Sequence, residues 1–182
     1  MKKKIILSVS LIGIIAIISI IGLIKHNESK NVINENQVYS NDAGNFMKDF
    51  NKVAKNSEIP FVINTPKYLN GVSENGEKLE NAIFEVNQIS ISCQVNGNDN
   101  SIKRIKIIEK IGNTNSGDLG TVLNIVNAVI NPKFTDKDFQ QLVSNLTTDK
   151  KFSEIQIGDL DYVFSGNEQT GFQFYIKNKS EK

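Results

Sequence analysis

The chain has 182 residues, 21 of them Lys or Arg and 20 Asp or Glu. Lys2, Lys3 and Lys4 precede a long uncharged segment; without them, 18 basic groups face 20 acidic ones, a net charge of −2. So even a balance, with lysines scattered among acids, lacks the basic face that releases counterions from DNA or RNA, which excludes nucleic acid as a partner class.

Residues 5–24, opening on Ile5 and closing on Ile24, carry no charge and are interrupted only by Ser8, Ser10, Gly13, Ser19 and Gly22. Twenty helical residues span ~30 Å, the thickness of a bilayer's hydrocarbon core. A cleaved signal peptide has a shorter apolar core and a small-x-small site, for which Ile20-Ile21-Gly22 is only a weak match, so the segment reads as an uncleaved transmembrane anchor, with cleavage and secretion as the alternative. No cysteine lies at its end, which excludes a lipid-modified N-terminus. Positive charge concentrated in residues 1–4 places that stub in the cytoplasm and everything after the anchor outside. So short a stub leaves no room for an internal output domain. Pilin-like assembly is disfavoured because the start lacks a processing glycine and the anchor lacks an acid.

Residues 25–42 are polar, Asn-rich and aperiodic, and read as a flexible tether. His26, the single histidine, lies within it, which leaves residues 43–182 without the base that Ser/His/Asp or Cys/His catalysis needs and without the usual zinc ligands. Lys is strongly preferred over Arg, with Arg104 the only example, and Asn and Ile abound. That bias matches an AT-rich bacterial genome.

A helix is expected over residues 43–55, with Phe46, Met47, Phe50, Val53 and Ala54 at helical spacing and Asp42 as its N-cap. Pro60 and Pro66 bracket a short extended stretch, and a turn-rich passage follows around Asn70-Gly71 and Asn75-Gly76. From residue 83 to 95 the chain is β-rich; Ile89, Ile91, Cys93 and Val95 share one face, Ser90, Ser92 and Gln94 the other. Cys93, the single cysteine, forms no intramolecular disulfide and reads as a small buried hydrophobe. Residues 96–100 form a hairpin turn, too poor in acids for a calcium loop. A second strand follows over residues 102–111, with Ile105, Ile107 and Ile111 on one face.

The spacing Gly112-x-x-x-x-Gly117 between strand and helix invites comparison with a phosphate-binding loop. That loop continues with Lys and Ser or Thr, whereas this chain has Asp118 and Leu119, and a carboxylate there repels an anion. Nucleotide binding is therefore not expected. Leu119, Val122, Leu123, Val126 and Ile130 form a helical stripe capped by Ser116 or Asp118, and Pro132 stops that helix near Asn131. Thr135 and Asp138 suggest a capping box opening a helix with Phe139, Leu142, Val143 and Leu146 on one stripe. The sequon Asn145-Leu146-Thr147 reads as chance. A last hairpin pairs residues 155–164 with 172–176.

Sequential strand pairs without intervening helices favour an α+β fold: an antiparallel sheet of four to five strands with helices on one face, preceded by one transmembrane helix. Asp159 and Asp161, two apart on a strand, share a face and mark either a solvated surface or a carboxylate pair. Phe164, Phe172 and Phe174 are core candidates, while Tyr162 and Tyr175 are the aromatic residues expected at a surface contact with Asp159 and Asp161. No catalytic, cofactor or metal residue is assigned. The expected function is a membrane-anchored, extracytoplasmic binding or accessory module without catalysis, acting on an envelope protein or wall component. A variant of that class is an immunity or exclusion protein blocking a toxin or phage component; the alternative class is a hydrolase acting on cell-wall glycans with carboxylates alone.

Overall fold

The computed structural model describes residues 37–72, 76, 78–109, 116–146, 152–167 and 171–179. The anchor expected over residues 5–24 lies outside them, as does Gly112 to Asn115 of the phosphate-loop comparison. Among the described residues, no helix is long and apolar enough to cross a membrane.

Helix α1 (Ala43–Asn56) starts where expected, because the Asp42 carboxylate accepts the Asn45 N–H at 2.8 Å and satisfies one orphan amide. Phe46, Phe50 and Ala54 repeat every four residues, so all three turn to the core. Phe46 meets the rings of Tyr39, Phe50 and Phe84 at centroid distances of 5.7–6.4 Å. Residues 59–65 have no regular structure. Asn51 holds them to α1: its amide donates to the Ile63 carbonyl (2.8 Å) and its carbonyl accepts from the Ile63 N–H (2.9 Å).

Residues 37–39, expected as part of the tether, are packed into the domain. Gln37, Val38 and Tyr39 are buried, and Tyr39 exchanges backbone hydrogen bonds with Ile102 while its hydroxyl donates to Asp49. Two apolar residues inside a polar stretch carry no periodicity, so nothing in the local pattern shows that they close over the core.

Strands β1 (Lys67–Val72), β2 (Lys78–Val86), β3 (Ile89–Val95) and β4 (Ile102–Glu109) form an antiparallel meander. Helices α2 (Ser116–Ile130) and α3 (Asp136–Leu146) follow, then a second meander of β5 (Phe152–Ile157), β6 (Leu160–Asn167) and β7 (Gly171–Asn178). Antiparallel pairing of β4 with β7 fuses the two into one sheet of order β1-β2-β3-β4-β7-β6-β5. The α+β class stands, but the sheet has seven strands rather than four to five.

The miscount has a local cause. The β2–β3 and β5–β6 connections are two residues each, Asn87-Gln88 and Gly158-Asp159. Asn87 (φ 53°) and Gly158 (φ 62°) supply the left-handed backbone such loops require, yet the flanking β-rich sequence runs through them without a break. Conversely Asn70-Gly71, expected as a turn, lies inside β1. Asp159 is accordingly a turn residue and not part of a strand.

Ala82, Phe84, Val86, Ile89, Ile91, Cys93, Ile105, Ile107, Leu160, Tyr162, Phe164, Phe174 and Ile176 point to one side of the sheet and are buried. The helices cover that side. Helix α2 is buried almost all round, including Asn124, Ile125, Asn127 and Val129 outside its expected stripe, as befits a central helix rather than an amphipathic one. Its N-terminal turn includes Asp118, and Asn131 follows its end as Pro132 requires. Helix α3 opens on the capping box: Asp138 N–H donates to Thr135 Oγ1 (3.3 Å) and Thr135 N–H to Asp138 Oδ2 (2.8 Å).

Two outcomes follow. Removing residues 1–36 should leave the urea midpoint of the domain unchanged. Extending the deletion through Tyr39 should cost about 3 kcal/mol or more, because it strips two buried side chains from the core. Likewise Tyr162→Phe should cost about 1–2 kcal/mol in chemical denaturation, since the Tyr162 hydroxyl donates to Asn127 Oδ1 at 2.7 Å inside the core.

Candidate functional site

Among the described residues, nothing covers the side of the sheet opposite the helices. In the register of the strands, one row runs Gln156, Asp161, Lys177, Arg104, Gln94, Asn81, Leu69. The next runs Glu154, Val163, Tyr175, Lys106, Ser92, Ile83, Lys67, and a third Phe152, Ser165, Gln173, Ile108, Ser90, Glu85. None of these side chains is fully buried. A broad face of this kind follows from alternation: every second residue of each strand faces water when only one side is packed.

Its chemistry concentrates on β4 and β7. Their open-face residues include Arg104, Lys106 and Lys177 and no acid. The acids lie outward, Glu154 and Asp161 on β5 and β6 and Glu85 on β2. The Lys106 ammonium sits 4.9 Å from the centroid of the Tyr175 ring, which is 37% exposed. A cation over an aromatic face at a surface site contributes about 0.5–1 kcal/mol and holds both groups in one orientation. Lys177 lies opposite Asp161 and 3.7 Å from Glu154. Ser90, Ser92, Gln94, Gln173 and Ser165 supply a hydrogen-bonding surround.

The expected contact residues divide. Tyr175 and Asp161 do lie together on this face. Asp159 is exposed in the β5–β6 turn, where its carbonyl accepts the Lys179 N–H at 3.0 Å, so the two aspartates do not form a strand pair. Tyr162 is a correction: it is 1% exposed and points into the helix layer. Burial raises its hydroxyl pKa well above the ordinary tyrosine value, against the lowering effect of a hydrogen bond with Asn131. The core accepts a phenol there because α2 supplies Asn127, which the strand's own pattern cannot reveal. Phe164 and Phe174 are buried as expected, and Phe172 is partly buried with its ring stacked on Phe164. Arg104, Lys106 and Lys177 were missed, although the alternation of Arg104 and Lys106 with Ile105 and Ile107, and of Lys177 with Ile176, marks the open face.

Two further groups bear on chemistry. Cys93 is fully buried, and burial pushes its thiol far above the reactive range. Glu109, at the end of β4, is 4% exposed and its Oε1 has no hydrogen-bond partner. Burial raises its carboxyl pKa above the usual glutamate value, and the negative charge of Asp118 raises it further. Asp118 in turn accepts from Asn87 Nδ2 at 3.0 Å. In the β3–β4 loop, hydrogen bonds from Ser101, and then from Gln37, lower the Asp99 pKa. These bonds pin the loop to the chain preceding α1. Among the described residues, no cluster of three or more His, Cys, Asp or Glu side chains is placed to hold a metal.

Comparison of the chain with protein-family models, with curated proteins and with solved structures yields no match.

The raised Glu109 pKa fixes a sign. Between the ordinary glutamate value and the raised one, the folded state binds more protons than the unfolded state, so stability falls as pH rises through that window. Glu109→Gln should flatten this dependence in urea titrations from pH 4 to 8. At neutral pH it should add about 1 kcal/mol by removing an uncompensated buried charge.

Proposed function

We propose that the domain is a non-catalytic binding module whose open sheet face takes an anionic wall polymer. The observation that carries this reading is that the open-face residues of the central strands β4 and β7 include Arg104, Lys106, Lys177 and the exposed ring of Tyr175 and no acid. Cations spaced along paired strands suit repeated negative groups on a flexible chain. The surrounding Ser and Gln side chains suit hydroxyls. An anchor at residues 5–24 and the charge of residues 1–4 support a position on the outer side of the cell membrane, where such a polymer is within reach.

Binding to isolated wall material, with and without its anionic polymers, tests the proposal. Lys106→Ala should weaken binding about tenfold, and raising salt should weaken the wild type further. Glu154→Gln should strengthen binding, because it releases Lys177 from a competing carboxylate. Equal retention on wall stripped of anionic polymer, or indifference to Lys106→Ala, would overturn it.

A carboxylate-only glycan hydrolase remains the second reading, and it now rests on Glu109 and Asp118 rather than on Asp159 and Asp161. Burial raises the Glu109 carboxyl pKa, the direction in which a general acid is tuned. Release of reducing ends from wall glycan by the wild type, abolished in Glu109→Gln, would favour it; no release at any pH between 4 and 8 would remove it.

A further inference from the structure

Among the described residues, large apolar side chains that are exposed are few, and four of the six lie within eleven residues: Val62, Tyr68, Leu69 and Val72, each more than half exposed. Three of them belong to β1, a sheet edge exposed at all six positions. Edges of soluble proteins are normally guarded by charge, proline or a covering element. The opposite edge, β5, follows that rule: it carries Glu154 and packs against α3. From Tyr68 to Val72, β1 has no charge at all.

Gly71 adds an independent observation. It is the penultimate residue of β1, with no left-handed φ, and a Cβ built on it would meet nothing within 4 Å. Nothing among the described residues requires glycine there, and glycine weakens a strand. A strand glycine of this kind marks a place where something approaches the backbone closely.

We propose that β1 pairs antiparallel with β1 of a second copy of this chain, about a two-fold axis normal to the sheet and passing through Asn70. The strand is self-complementary in that register. Tyr68 of each copy falls opposite Val72 of the other, on the helix side of the sheet, as an aromatic–β-branched pair. Asn70 faces Asn70, with side chains able to hydrogen-bond each other. On the open side, Leu69 of each copy lies over Gly71 of the other, which explains the missing side chain. Lys67, the only charge on β1, ends up ~20 Å from its counterpart, six strand residues away and beyond the screening length. A second copy therefore meets this edge without like charges opposed, as an isologous interface requires. The axis sets both open faces side by side on one surface of a continuous sheet. The dimer stands on the edge alone and does not depend on what the open face binds.

Disulfide trapping in the full-length chain tests the pairing. Directly opposed residues in antiparallel strands have Cα atoms about 4.5–5.5 Å apart, within disulfide range, and buried Cys93 leaves the wild type as the blank. Asn70→Cys should form a covalent dimer under mild oxidation, whereas Gln156→Cys on β5 and Ser92→Cys on the open face should form no covalent crosslink. Adding Gly71→Val to Asn70→Cys should cut trapping about tenfold by filling the seat of Leu69, while leaving or raising monomer stability because valine favours strands. Sedimentation equilibrium of the wild type in density-matched detergent should give twice the 20.3 kDa chain mass. A single-chain mass, or trapping of Asn70→Cys no greater than of Gln156→Cys, overturns the proposal. A dimer that persists unchanged in Gly71→Val does so too, since it would use another surface.

Discussion

The pairing of β4 with β7 is the contact on which the architecture turns. Ile105 lies opposite Ile176 and Ile107 opposite Phe174, strands separated in sequence by two helices and two further strands. Each meander forms from local hairpins, and alone each would expose one long edge. Joining them removes two edges at once and produces a single apolar face wide enough for three helices. Closing so long a loop has a slowly growing entropic cost, and the four buried side chains at this seam offset it directly.

That wide face in turn determines the character of α2. A helix lying on two fused half-sheets, with α1 beside it, has almost no solvated side, so its sequence is apolar nearly throughout. The exceptions are functional to the fold. Asn127 accepts from the Tyr162 hydroxyl and so ties the helix to the second meander. Its own amide Nδ2 has no hydrogen-bond partner, a local destabilisation that specificity of packing tolerates. Buried polar groups of this sort disfavour alternative registers, because a slip of one residue would strand both partners.

The same geometry explains where function can reside. The helix layer consumes one side of the sheet, leaving the other as the only extended surface that strands can offer with repeating spacing. The two central strands place their cations on it because their opposite side is filled by Ile and Phe. A flat array with chemistry set by strand register suits recognition of a partner with repeating groups better than it suits enclosing a small substrate. Glu109 sits on the other side, close to Asp118, and its unsatisfied carboxylate is a source of instability that the open-face reading does not use.

Much of this was legible in the chain alone, since the signals are local. The helices announce themselves through Asp42, the Thr135–Asp138 box, Pro132 and their apolar spacing. Alternation in β3 and β4 exposes their buried faces. Tertiary structure decided the rest. Whether Asn87 and Gly158 turn the chain or Asn70-Gly71 does depends on which neighbours the strands find, since all carry similar turn residues. Val38 and Tyr39 look like tether until Ile102 and Phe46 close over them. Tyr162 looks like a surface tyrosine until a distant asparagine satisfies its hydroxyl. The cationic centre exists only because β4 and β7, remote in sequence, are neighbours in space. Local pattern sets which side of a strand is apolar, but only long-range pairing decides which polar sides share a surface.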